Sequence, residues 1–227
     1  MSTQDIKLAV DAVVFGYTSK EGLMVLLIKR KIEPFKGEWA IPGGLVANDE
    51  SLEQAVQREL KEETGVSINY LEQLYTFGKP NRDPRNRVVS VAYFGLVKPS
   101  AFSLEADTDA EDAQWFNIKN FPKLAFDHKT ILEAAIKRLK AKITYEPVGF
   151  ELLEKKFPFS ELEKMYSALL DRSVDRRNFK KKIMRFGFLE ETNEKQKLQG
   201  AGRPGPLYKF NEKKYFELVK TGINFDV

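Results

Sequence analysis

The chain has 227 residues, 42% of them hydrophobic and 31% charged, enough to bury one large core or two smaller ones without staples. It has no cysteine and one histidine, His128, which excludes disulfides, thiolate–zinc sites, cysteine nucleophiles and any site built from several histidines of one chain. The net charge is +4 and unevenly spread: residues 1–142 carry 20 Lys/Arg against 20 Asp/Glu, residues 143–227 carry 17 against 13, so the whole excess lies in the C-terminal third. No apolar run approaches a membrane span and the N-terminus reads as no signal peptide, so a cytoplasmic protein without a membrane partner is expected.

In chain order, Leu8–Tyr17 and Leu23–Arg30 are β-branched, apolar runs separated by a polar turn, and read as strands. Pro34–Gly44 has the proline and glycine content of a loop. Ser51–Thr64 places Leu52, Ala55, Val56 and Leu60 at helical spacing, with Asp49 or Ser51 as cap and Gly65 as stop. Strands are expected again at Leu74–Phe77, Val88–Leu96 and Gln114–Phe116, with a polar loop at Pro80–Arg87. Asp127 reads as the N-cap of a helix from about His128 to Lys142. Pro147 and Gly149 then break the pattern, which places a boundary between domains at 1–145 and 146–227. Beyond it come helices at about Phe159–Leu170 and Asp175–Phe186, and two extended pieces, Gly187–Thr192 and Leu207–Phe210, around the loop Gly200–Pro206. Helix, turn, basic helix and hairpin is the order of a winged helix-turn-helix.

Glu59, Glu62 and Glu63 stand at i, i+3 and i+4 and therefore share a helix face. Carboxylates so placed repel one another, unless they are simply solvated or hold a hard divalent cation. They belong to a longer pattern: Gly44, then Glu50, then Arg58-Glu59-Leu60, then Glu62-Glu63, then Gly65-Val66. That pattern resembles the Nudix box at every fixed position, and the resemblance covers roughly residues 5–142.

The resemblance implies an α/β fold, an α/β/α sandwich with a mixed sheet whose Nudix helix is held by the loop Gly37–Gly44. It also implies Mg²⁺- or Mn²⁺-dependent hydrolysis of nucleoside diphosphate derivatives. Glu59, Glu62 and Glu63 would be metal ligands and catalytic groups. Gly44, Glu50, Arg58 and Gly65 would be structural, with Arg58 orienting Glu59 and pairing with Glu50. Glu111 is the first choice for a further carboxylate from the loop Glu105–Asp112. Outside the box, Arg30, Arg82, Arg85 and Arg87 are candidates to hold phosphates, with Asp83 among them, and Trp39 or a nearby Phe to stack on a base. His128, just after the expected cap, reads as structural.

In the second domain, Phe179, Ile183 and Phe186 share one face of the basic helix. Arg176, Arg177, Asn178, Lys180, Lys181 and Arg185 are left for phosphates and base edges, and Lys197 and Arg203 for a wing. A Nudix domain followed by a winged helix resembles the Nudix-related bacterial transcriptional regulators, NrtR-type repressors and their sugar-responsive relatives. The matching segments are RDPRNRVVSVAY (82–93), LAFDH (124–128), RRNFKKKI (176–183) and GRPGPLYKF (202–210). The resemblance implies a homodimer on a double-stranded operator and a small effector, ADP-ribose or a pentose. Its box is intact, so an ADP-ribose pyrophosphatase is the alternative; an RNA- or protein-binding module is a third reading, disfavoured by the lack of an aromatic platform.

Overall fold

The computed structural model describes residues 5–68, 71–104, 110–196 and 204–221. The chain divides into two compact units, Met1–Gly16 with Met24–Arg138, and Tyr17–Leu23 with Leu139–Val227.

In the first unit, β1 (Lys7–Thr18), β2 (Gly22–Arg30), β3 (Trp39–Ala40), β4 (Gly43–Leu45), β5 (Glu72–Phe77), β6 (Val88–Val97) and β7 (Ala110–Asn117) form one mixed sheet. Its order is β3-β2-β1-β6-β5, with β4 paired to β1 and β7 to β2. β1 and β6 run parallel in an unbroken register from Lys7↔Val88 to Gly16↔Val97. The remaining pairings with a defined register are antiparallel.

Alternation along β1 serves two faces. Val10, Ala12 and Val14 join Leu26, Val91 and Tyr93 against Ala55, Val56 and Leu60 of α1 (Leu52–Thr64). Asp11, Val13 and Phe15, equally buried, face the other way. On that side lies α2 (His128–Tyr145), whose Arg138 donates to the Leu74 carbonyl of β5 and whose Ile131, Leu132 and Ala135 are buried. The result is the expected α/β/α sandwich.

Ser51 caps α1 through a capping box with Gln54, and Gly65 ends it at a φ of 72°, a left-handed position that a side chain would strain. The loop expected at 34–44 also contributes strands β3 and β4, too short for periodicity to reveal.

The second unit contains β8 (Phe157–Pro158), α3 (Phe159–Leu170), α4 (Arg176–Arg185), β9 (Leu189–Lys195), β10 (Pro206–Phe210) and α5 (Glu212–Thr221). Its sheet order is β8-β10-β9, antiparallel throughout. Aromatic packing dominates its core: Phe150 stacks on Phe210 at 4.1 Å, and Tyr166 of α3 meets Phe179 of α4 at 4.7 Å. Aromatic pairs carry more area per residue than aliphatics, which suits a small core. Asp171 closes α3 in the left-handed region, and Asp175 caps α4 by accepting from the Asn178 backbone. Among the described residues no helix is long and apolar enough to cross a membrane.

Candidate functional site: a carboxylate helix, an arginine-lined cleft and a basic helix

The carboxylates of α1 are organised by one guanidinium. Arg58 donates to both Glu50 oxygens (3.0 and 2.7 Å), to Glu59 Oε1 (2.8 Å), to Glu62 Oε2 (3.2 Å) and to the Leu45 carbonyl (3.2 Å). Hydrogen bonds from Arg58 hold Glu50 down to about 2. Glu59 moves the other way, because burial raises its pKa more than Arg58 lowers it. Glu63 is buried and accepts the Gly43 N–H at 2.8 Å, while Glu62 is exposed.

The strap Ile41–Gly44 lies tightly between this helix and β1. A Cβ on Gly44 would fall 2.3 Å from a Glu59 oxygen, and one on Gly43 would fall 2.2 Å from the Val10 carbonyl oxygen. Glu59, Glu62 and Glu63 offer hard carboxylate oxygens of the kind Mg²⁺ and Mn²⁺ prefer. Under-compensated burial of Glu59 is what a cation would relieve. Among the described residues, however, no three acids or histidines converge closely enough to make a finished metal cage. Glu111, by contrast, pairs with Lys29 at 3.1 Å on the exposed side of β7.

On the α2 side of the strap is a cleft lined by Asp11, Arg30, Ile41, Gly43, Gly44, Arg82, Asp83, Arg85, Phe126 and His128, among others. Its arginines differ. Arg82 is buried and binds Asp127 through both oxygens (3.1 and 2.7 Å) and Asp11 at 3.3 Å. Burial opposes its charge, but these carboxylates win and its pKa rises. Arg85 grips Asp83 in the same forked way (3.1 and 2.8 Å) yet is itself half-exposed. Arg30 donates to the Pro34 carbonyl, and its guanidinium lies 4.9 Å from the Phe126 ring centre; Arg85 approaches the same ring at 5.8 Å. Arg87 turns to the carbonyls of Lys79 and Val88. Trp39 packs edge-on against Phe116, so Phe126 supplies the aromatic surface of the cleft.

Three polar residues lie beneath the cleft, of which the sequence reading misses Asp11, takes Asp127 for a cap alone and takes His128 as structural. Asp11 sits inside an apolar strand and takes Arg82 and the Ser90 hydroxyl. Its only sequence signal is an acid within LAVDAVV. Asp127, expected as a helix cap, spends its carboxylate on Arg82. His128 accepts the Ile41 N–H at Nδ1 (2.9 Å), which leaves the proton on Nε2, 3.6 Å from Asp11 Oδ1. Burial lowers its pKa, and the Asp11 carboxylate only partly offsets this.

In the second unit α4 buries Phe179 and Ile183, while Arg176, Arg177, Asn178, Lys180, Lys181 and Arg185 are exposed. Phe186, expected on the buried face, is half-buried at the helix end and stacks on Phe188. Arg176 reaches Glu163 of α3 at 3.4 Å; Lys180 sits over the rings of Phe159 and Tyr208. Two of the three acids of β9 are paired with lysines nearby. Glu190 is held down to about 2 by Asn211, Lys214 and Lys209, and Glu194 pairs with Lys156. Lys197 and Arg203 lie outside the described residues.

The Nudix domain family model matches residues 6–135, and the NrtR DNA-binding winged helix domain model matches residues 149–210. The chain is 34% identical to the ADPR responsive transcriptional repressor NtrR of Acinetobacter baylyi, over 89% of this chain and 81% of that one. It is similar to the crystal structure of Shewanella oneidensis NrtR complexed with a 27mer DNA, with a TM-score of 0.79 and 32% identity, covering 96% and 98% of the two chains. It is also similar to the NUDIX domain of that protein complexed with ADP ribose, with a TM-score of 0.56 and 39% identity, covering 61% of this chain and 90% of that one.

Proposed function

We propose that this chain, which belongs to the Nudix family and to its NrtR-type branch with a DNA-binding winged helix, is a transcriptional repressor that binds ADP-ribose in its Nudix cleft and an operator duplex through α4. The observation that carries the reading is the pairing, in one chain, of a cleft lined by three arginines with a helix that exposes six cations around a buried Phe179–Ile183 face. Guanidinium groups suit a diphosphate better than a neutral pentose, which favours ADP-ribose as effector. Of the three, Arg30 and Arg85 are the ligand groups, with Asp83 holding Arg85; Arg82 is committed to Asp11 and Asp127 and supports the cleft floor. Arg176, Arg177, Lys180, Lys181 and Arg185 meet phosphates, Asn178 a base edge, and Lys197 and Arg203 the backbone beside the wing. A homodimer would place two such helices on a two-fold operator.

The test is duplex binding at low and moderate salt, with and without ADP-ribose. The expected result is tight, steeply salt-dependent binding that ADP-ribose weakens; no duplex binding at low salt sinks the reading.

The complete Nudix box supports a second activity in the same molecule. Glu59, Glu62 and Glu63 would hold Mg²⁺ or Mn²⁺, which when bound would supply charge neutralisation at a diphosphate and a more acidic water. Arg58 keeps Glu59 and Glu62 oriented, and burial keeps Glu59 basic. AMP release from ADP-ribose with Mg²⁺, lost in Glu62→Gln, is the expected signature; no turnover across a panel of nucleoside diphosphate derivatives removes this reading.

A further inference from the structure

The last helix, α5, is held to the second unit by one side and bare on the other. Tyr215 packs its ring on Phe210 (5.3 Å) and Phe188 (6.2 Å), and its hydroxyl donates to Glu146 (3.0 Å). Lys214 reaches Glu190 of β9 at 3.0 Å, and Leu218 is half-buried. About a quarter turn round the helix from Tyr215, Phe216 is 58% exposed, exceeded among the described large apolar side chains only by Tyr75. Glu212 and Lys220 stand four residues before and after it, with Lys213 and Glu217 beside them. All four charges are exposed, and among the described residues none of them is engaged in an ion pair within the chain.

We propose that this face of α5 packs on α5 of a second copy, antiparallel about a two-fold axis through Phe216. The proposal deepens the homodimer reading and rests on it. Residues four apart form the ridge that interdigitates in the commonest helix packing, and Glu212, Phe216 and Lys220 are such a ridge. A two-fold contact must be complementary to itself. Reversed end for end, the ridge meets that condition: Phe216 falls on its own counterpart, and Glu212 falls on Lys220 of the second copy at both ends. A parallel pair would set each charge against itself. Two acids and two lysines offer a phosphate backbone or an anionic membrane no net attraction, which favours a surface of the same make-up as the occupant. One pair of ten-residue helices buries less than the roughly 1,200 Å² of a stable interface. The contact therefore sets how two DNA-binding units lie within a dimer and does not assemble the dimer alone.

The chain has no cysteine, so a single introduced one reports on its own surroundings. In the full-length protein, Phe216→Cys should form a disulfide between two copies under mild oxidation, because a residue near the axis comes within bonding reach of its counterpart. Lys214→Cys, on the docked side of the helix, should not. In the Phe216→Cys background, Glu212→Lys or Lys220→Glu alone should slow the crosslink by about fivefold, since two exposed ion pairs are lost per dimer. The two substitutions together should restore it. No crosslink, equal crosslinking at positions 216 and 214, or a rate indifferent to the single swaps overturns the proposal. Duplex binding separates this contact from the wider reading. The expected crosslinking in a protein that binds no duplex removes the regulator and leaves the α5 contact standing; duplex binding without the crosslink does the reverse.

Discussion

Gly44 is a glycine because the Glu59 carboxylate stands where a side chain would be, and Gly78 is under no such demand, its nearest neighbour being 3.7 Å from a built Cβ. Gly44→Ala should therefore cost about 1–3 kcal/mol in urea denaturation, the range for forced overpacking, while Gly78→Ala should change stability by less than about 0.5 kcal/mol. His128 makes a pH-dependent prediction. It must be neutral at Nδ1 to accept from Ile41, and burial lowers its pKa below the ordinary 6.5. Between the folded pKa and 6.5 the unfolded chain binds the extra proton, so stability rises with pH there. Thermal midpoints should fall as the pH drops below about 6.5, and His128→Gln should flatten that slope. Glu50 acts lower on the scale. Its depressed pKa contributes stability that is present above 4.5 and lost as the pH falls toward 2, a component that Glu50→Gln removes.

At the scale of elements, α4 separates packing from recognition. Phe179→Ala should lower stability by about 3–5 kcal/mol, the cost of emptying a core aromatic site, and should be visible in the melting of the isolated signal of this unit. Arg177→Ala and Lys181→Ala should leave melting unchanged and each reduce the slope of log affinity against log salt by about one. The same division explains what the sequence discloses. Long elements with a clean period, β1, β2, α1, α3 and α4, are legible to within a residue or two because burial and spacing agree. β3, β4 and β8 have two or three residues each, too few for a period, and exist through pairing with distant strands. α5 is not read from the sequence, although Asn211 caps it and Tyr215 packs on Phe210. In the site, the carboxylates of α1 are legible because a fixed spacing on one helix brings them together. The partners of Arg82 are not, since Asp11 and Asp127 lie 71 and 45 positions away and meet it only across the folded sheet. The interchangeable-looking arginines of 82–87 likewise separate into a buried strut, a cleft group and a loop tie only once their neighbours are seen.

Across the whole molecule, the division of charge seen in the sequence has a structural counterpart: the first unit ties Arg58 and Arg82 into internal pairs, and the second displays cations on α4 while pairing Glu190 and Glu194 of β9 with its own lysines. The ionic floor of the cleft is where the first unit is most exposed to damage. Arg82→Met strands the buried Asp11 and the half-buried Asp127, and should cost about 3–5 kcal/mol in chemical denaturation. Asp11 has a further consequence, for the register in which the chain folds. Its strand runs parallel to β6, whose partner residues are some 80 positions away, and Ser90 beside it is reached only in that pairing. A slip of one residue would turn the carboxylate into the apolar layer under α1, with no guanidinium within reach. The acid thus works as a key cut for one alignment: a wrongly threaded sheet buries an unpaired carboxylate, and the floor of the cleft is complete only in the correct register.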